Sequence, residues 1–335
     1  MGREQARSII SGQAWKKQQD RSKLRSLVAV FITVTLLFAI VNGIAKGFSL
    51  KNQISDSKWD SKSSFAVAVD SINPSVFIYQ PDSKNVAVLV LSGETLYETG
   101  SIGRPLDKIS SSLEKSGVEL IDTLSQTYGT KIGNFIKLTN RSEMDEKTAE
   151  KMFVNFASIT TPFKILTTGF SDNISATNIT RIDAFKLWWQ FKGASTESLK
   201  FADLSGYQEE IINSDSKQVL GADTASLNRA VSEYMENREV VEEGKNIQIK
   251  NSSGKLEALS LAAMFVKSVG GNVIEVSDSE QEQEKTQIVV ESKDSYSARY
   301  LANIFDCDIT EAKNLQESGE IMIIIGLDFA SRYFE

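Results

Sequence analysis

Residues 85–91 read NVAVLVL, and six of these seven positions are apolar. A half-buried strand alternates apolar with polar side chains, so an unbroken apolar run of this length predicts a strand covered on both faces. Two more strands are expected upstream, Phe65–Val69 and Val76–Tyr79, with Pro74, Pro81 and Asp82 marking the turns. Downstream, apolar residues recur at helical spacing from Leu106 to Tyr128; Gly117 is expected to split or kink this helix, and Gly129 ends it. Asn134–Leu138 (NFIKL) then reads as a short strand. Three strands, a helix and a strand predict a layered α/β domain rather than a helical bundle.

Further along, Met152–Phe163 reads as a mixed helix around Met152, Phe153 and Phe156. Residues 178–192 (NITRIDAFKLWWQFK) predict a helix with Asn178 as N-cap, Ile182, Phe185 and Trp189 forming one face, and Gly193 closing it. Trp188 and Trp189 either stack on a sugar ring or bury against the preceding domain. Residues 205–244 are polar and poor in strand signals, which predicts a linker ending at Glu242-Glu243-Gly244.

Working back to the N-terminus, residues 24–45 read LRSLVAVFITVTLLFAIVNGIA, with no charge from Leu27 to Ala45. Such a helix covers roughly 28 Å, close to the hydrocarbon thickness of a bilayer. Residues 1–26 carry seven basic side chains against Glu4 and Asp20, a net +5. That excess predicts an uncleaved anchor with the N-terminus in the cytoplasm and everything beyond it extracytoplasmic. The whole chain is −7, which leaves −12 beyond the tail. An acidic ectodomain repels phosphate backbones, so no nucleic-acid partner is expected.

Composition narrows the chemistry. There is no histidine and one cysteine, Cys307. Ser-His-Asp and Cys-His catalysis and zinc sites built on His or on several Cys are excluded, as is an intrachain disulfide. No cofactor, metal or catalytic residue is expected.

Residues 246–333 are the most legible. Asn246–Lys250 is a strand, Asn251-Ser252-Ser253-Gly254 a turn, and Leu256–Val269 a helix closed by Gly270-Gly271. Strands Asn272–Ser277 and Thr286–Glu291 follow, joined by a hairpin loop, then helix Tyr296–Phe305 and strand Glu320–Ile325. The order βαββαβ predicts a two-layer sandwich with two helices on a four-stranded sheet.

The pieces IQIKNSSG, LAAMFVKSVGGNVIEV, TQIVV, ARYLANIF and IMIIIGLDFASRY occur in the order and spacing of the LytR C-terminal domain, which residues 246–333 resemble. One departure is Ser252, where that family has Gly; Asn251 is expected to tolerate the left-handed backbone the turn needs. Upstream, VAVLVLSGETLY and the stretch from Arg104 to Leu138 resemble a degenerate LytR-CpsA-Psr domain. That family binds polyprenyl-pyrophosphate sugars and transfers glycopolymers to peptidoglycan, using clustered Arg and Asp residues and a divalent metal. Here Ser92-Gly93-Glu94-Thr95 replaces the family's Pro-Arg-Asp-Thr, and Arg141, Arg181 and Arg229 are isolated in sequence. Asp70 and Glu94 are remnant candidates for the acidic positions, or surface and turn residues.

The expected organisation is therefore a basic tail (1–26), a membrane span (27–45), a stalk (46–64), an α/β domain (65–204), a linker (205–244) and a LytR C-terminal domain (245–335). Asp70, Glu94, Trp188, Trp189 and Asn251 are the candidate ligand positions. The leading expectation is a non-enzymatic, membrane-anchored bacterial envelope protein whose C-terminal domain binds peptidoglycan, another wall polymer or an envelope partner. The alternatives are a diverged transferase that still binds a polyprenyl pyrophosphate, or a structural part of a pilus or division assembly. Retained lipid binding would require a cleft between the sheet and the helical stretch 106–128.

Overall fold

The run at 85–91 forms a strand whose side chains feed two separate cores. The computed structural model describes residues 57, 59–99, 102–106, 116–158, 160–167, 173–191, 196–212, 218–279, 281–312 and 320–334. Chain order begins β1 (Phe65–Asp70), β2 (Ser75–Gln80), β3 (Asn85–Val90), β4 (Leu96–Thr99), β5 (Ile102–Pro105), α1 (Ser116–Tyr128) and β6 (Asn134–Leu138). It continues with α2 (Glu146–Ala157), α3 (Thr161–Thr167), β7 (Ile174–Thr177), α4 (Arg181–Phe191) and β8 (Leu199–Asp203). Next come β9 (Gln208–Ile212), β10 (Gln218–Ala222), α5 (Thr224–Met235) and α6 (Arg238–Glu243). The last part is β11 (Asn246–Asn251), α7 (Leu256–Ser268), β12 (Asn272–Asp278), β13 (Gln287–Val290), α8 (Tyr296–Phe305), β14 (Asp308–Glu311), β15 (Ile321–Ile325) and α9 (Leu327–Phe334).

The first sheet has the order β7-β6-β1-β2-β3-β8. β1 runs antiparallel to β2, with Val67 opposite Phe77, and parallel to β6, with Val69 opposite Ile136. Because side chains alternate along a strand, Ala87, Leu89 and Leu91 join one core with Leu120 and Leu124 of α1. Val86, Val88 and Val90 join the other, with Phe153 of α2 and Leu187 of α4. This is the mixed α/β layering the sequence implied.

The polar stretch 205–244 is not structureless. β9 and β10 pair antiparallel and join β4 and β5 in a second, four-stranded sheet. Leu227, Val231 and Met235, one turn apart on α5, are buried in the core under α1. Among the described residues no helix is long and apolar enough to cross a membrane. The expected span at 27–45, the tail before it and most of the stalk lie outside the described residues.

In the C-terminal part the expected order gains a strand and a helix. The sheet has five strands, β12-β11-β15-β13-β14. β12 and β13 are not neighbours, so the loop after β12 is a crossover and not a hairpin. β14 and α9 were not expected: β14 is a short edge strand, with only Ile309 packed on the core, and α9 follows the last strand directly after Gly326. A Cβ on Gly326 would stand 2.4 Å from the carbonyl carbon of Lys285, so this closure admits no side chain. The turn after β11 also differs from expectation. Asn251 ends the strand, and its Oδ1 accepts from Ser253 N (3.1 Å) and Ser253 Oγ (2.6 Å). The left-handed residue is Gly254, at φ +70°, and not Asn251.

Two contacts bind the parts of this unit together. Arg332 of α9 pairs with Asp122 of α1 at 2.7 Å, and Thr130 and Ser268 share a buried 2.7 Å hydrogen bond. On another side, Tyr296 Oη donates to Asp60 Oδ2 (2.7 Å) and accepts from Asn237 Nδ2 (3.0 Å). Glu243, at the end of α6, accepts from the backbone N–H groups of Ser297 (2.6 Å) and Tyr296 (3.2 Å). A carboxylate there complements the positive end of α8. Partial burial opposes the charge, but the hydrogen bonds from Ser297, Ser295 and Tyr296 outweigh it and hold the Glu243 carboxyl below its ordinary 4.5. The unfolded chain then binds more protons between the two values, so this contribution is complete above pH 4.5 and is lost as pH falls through the folded value. Glu243→Gln is expected to lower the melting temperature at pH 7, with the gap to wild type closing as pH drops below 4.5. A gap independent of pH would show that the carboxylate charge is not what stabilises α8.

Candidate functional site

Between the first sheet and helices α2, α3 and α4 lies a cavity of about 610 Å³. Its floor is the β1, β2 and β6 side chains Val67, Val69, Phe77, Tyr79, Ile136 and Leu138. Its roof includes Met152, Phe153 and Phe156 of α2 and Ala184, Leu187 and Phe191 of α4. These helices are set by local capping. Asp145 accepts from Thr148 N (2.7 Å) at the start of α2. Thr180 Oγ1 accepts from Asp183 N (3.0 Å), capping the start of α4, and donates to Asp183 Oδ2 (2.8 Å). Asn178, expected in that role, instead bridges the Phe135 N–H and the Gly133 carbonyl of the neighbouring strand region.

Aromatic rings line the inner wall. Phe191 meets Tyr79 edge-on at 4.8 Å, Phe153 at 5.3 Å and Phe156 at 5.5 Å. Tyr79 Oη donates to Gln190 Oε1, and burial pushes its hydroxyl up to about 12, so it stays neutral. Polar side chains gather where β6 ends: Asn140, Ser142 and Asn173, with Thr148, Lys151 and Asn155 spaced along one face of α2 and Lys164 on α3. Lys151 and Lys164 are exposed. Ligands of open α/β sheets commonly bind beyond the carboxyl ends of the strands, and β1 and β6 both end here. An apolar hollow with a cationic rim suits an amphiphile with a negative head.

The cleft lies on the opposite face of the sheet from α1 and not between the sheet and that helix. Phe153 and Phe156 line it without filling it. The structure does not gather the five sequence candidates into one site; only the adjacent Trp188 and Trp189 rings meet, at 6.2 Å. Asp70 is buried on the α1 side of the sheet, 2.9 Å from Arg141 Nε. Glu94 is exposed in the turn after β3. Trp188 is buried and donates to the Ser158 carbonyl at 2.9 Å, whereas Trp189 is 60% exposed. Asn251 belongs to the C-terminal sheet, donating to Asp278 Oδ1 at 2.9 Å. The face expected for α4 is rotated: Phe185 and Trp189 point outward, and Ala184, Leu187, Trp188 and Phe191 inward. Lys151 and Lys164 were missed; their only signal was position on α2 and α3 beside the apolar stripe. Among the described residues no group of acids or Cys is placed to hold a metal.

No family model matches the chain, and no curated protein matches it. Solved structures similar to it include B. subtilis TagV, at 13% identity and TM-score 0.38, covering 50% of this chain and 94% of that one. B. subtilis TagU is 12% identical with TM-score 0.36, over 53% of this chain and 99% of that one. B. subtilis TagT is 12% identical with TM-score 0.34, over 52% and 91%.

Proposed function

We propose that this is a membrane-anchored bacterial envelope protein that holds a lipid-linked anionic amphiphile, of the polyprenyl-pyrophosphate class, in the cavity over the first sheet. The observation that carries this is the 610 Å³ hollow, apolar inside and rimmed by Lys151 and Lys164. Each methylene buried there contributes about 0.8 kcal/mol, which offsets the cost of ordering the ligand. The sequence resemblance to LytR-CpsA-Psr proteins supports the same ligand class, and the apolar run at 27–45 supports a position beside the bilayer.

The proposal is binding, with no catalytic residue assigned. The described residues lining the cavity include no carboxylate and no arginine. Pyrophosphate chemistry needs several cations converging on the transferred group, and Arg141 is committed to Asp70 on the other face. For the C-terminal domain, a contact with peptidoglycan, another wall polymer or an envelope partner stands on sequence resemblance. The test is to purify the full chain in mild detergent and identify retained lipid by mass spectrometry. Phosphorylated polyprenols are the expected ligands, and Lys151→Gln with Lys164→Gln is expected to reduce retention about tenfold, the effect of two exposed ion pairs. A chain that retains no such lipid, and takes none up when it is supplied, would refute the reading.

A further inference from the structure

The side of α4 turned away from the cavity carries Arg181, Phe185 and Trp189, spaced one turn apart on a single ridge. Phe185 is 41% exposed and Trp189 60%. Single exposed apolar residues are ordinary. Here two large aromatic rings and a guanidinium share one ridge, the composition of a helix face seated in a membrane interface.

A second observation bears on this face. On the flank of α4 beside the ridge, Lys186 donates to the Trp59 carbonyl at 2.6 Å. Trp59 is therefore fixed beside α4, and it is where the chain arrives from the apolar run ending at Ala45. The fourteen steps from Ala45 to Trp59 reach at most about 50 Å even when fully extended. The chain thus enters this part of the fold beside the helix that carries the ridge.

We infer that the Arg181–Phe185–Trp189 ridge docks on the outer surface of the lipid bilayer, the rings in the interfacial layer and Arg181 among lipid phosphates. This rests on reading 27–45 as a membrane span, and it deepens the proposed function. The helix that touches the membrane with one side lines the cavity with the other, through Ala184, Leu187 and Phe191.

The test uses the full chain carrying Trp15→Phe, reconstituted into vesicles of phosphatidylcholine and phosphatidylglycerol with brominated acyl chains. Bromine quenches tryptophan only at membrane depth, and Trp189→Phe is expected to lose most of the quenching. Lys151→Gln with Lys164→Gln is expected to keep it, so a failed lipid-retention experiment leaves this result readable. Protein that does not float with vesicles overturns the anchor and the docking together. Protein that floats, with quenching unaffected by Trp189→Phe, overturns the docking alone. A dimer dispersed by Phe185→Ser with Trp189→Ser would assign the ridge to a second copy, and a protein partner released by the same pair would assign it to that partner; either overturns it.

Discussion

Val67→Trp is expected to abolish most lipid retention while leaving the protein folded. Val67 sits mid-strand on β1, buried, with its side chain in the cavity floor. In a close-packed core such an enlargement costs about 1–3 kcal/mol through forced rotamers and backbone shifts. Here the indole projects into open space, so the melting temperature is expected to stay near that of wild type. The same indole excludes the ligand from the middle of its site. Loss of about three buried methylenes removes about 2.4 kcal/mol, a retention loss of roughly fiftyfold. The measurement is lipid per protein by mass spectrometry beside a thermal melt. Unchanged retention in a folded variant would show that the lipid lies elsewhere.

Phe265→Ala is expected to cost about 3–5 kcal/mol, the range for deleting a buried aromatic ring. Phe265 on α7 is fully buried, with Phe305 at 6.3 Å, Phe329 at 5.9 Å and Tyr333 at 5.6 Å between ring centroids. These partners lie on α8 and α9, so one ring joins three helices. Losing it unseats α9, and with α9 go the Arg332–Asp122 pair and the hydrogen bond from Lys131 Nζ to Tyr333 Oη. Denaturant unfolding of the full chain reads the cost, and Phe265→Leu is expected to keep most of the stability. A loss under about 1.5 kcal/mol for the alanine would mean the site collapses around the gap.

The layered α/β plan was legible because β3 is apolar at consecutive positions, a pattern only two covered faces explain. The cavity was not, because Val67, Phe77 and Ile136 are the residue types that fill any core; whether facing helices close on them is a matter of spacing that hydropathy does not encode. The orientation of α4 was misread for a related reason. Both sides of that helix are apolar at helical spacing, and hydropathy gives no sign that the buried side also takes in a charged residue, Asp183, hydrogen-bonded to Thr180 and 3.7 Å from Lys186. The stretch 205–244 looked like a linker because its average is polar. Leu227, Val231 and Met235 make one narrow buried stripe that the average conceals.

The Asp60–Tyr296–Asn237 hydrogen bonds tie the chain's arrival point at residues 59–63 directly to the C-terminal domain. Contacts from α9 to α1 hold that domain on a second side. The C-terminal sheet is thus tied to the rest of the fold on two sides, at residues 59–63 and at α1. A substitution that cuts one of these ties, such as Tyr296→Phe at the Asp60 contact, therefore acts on the seam between the sheets and leaves the cavity lining unchanged.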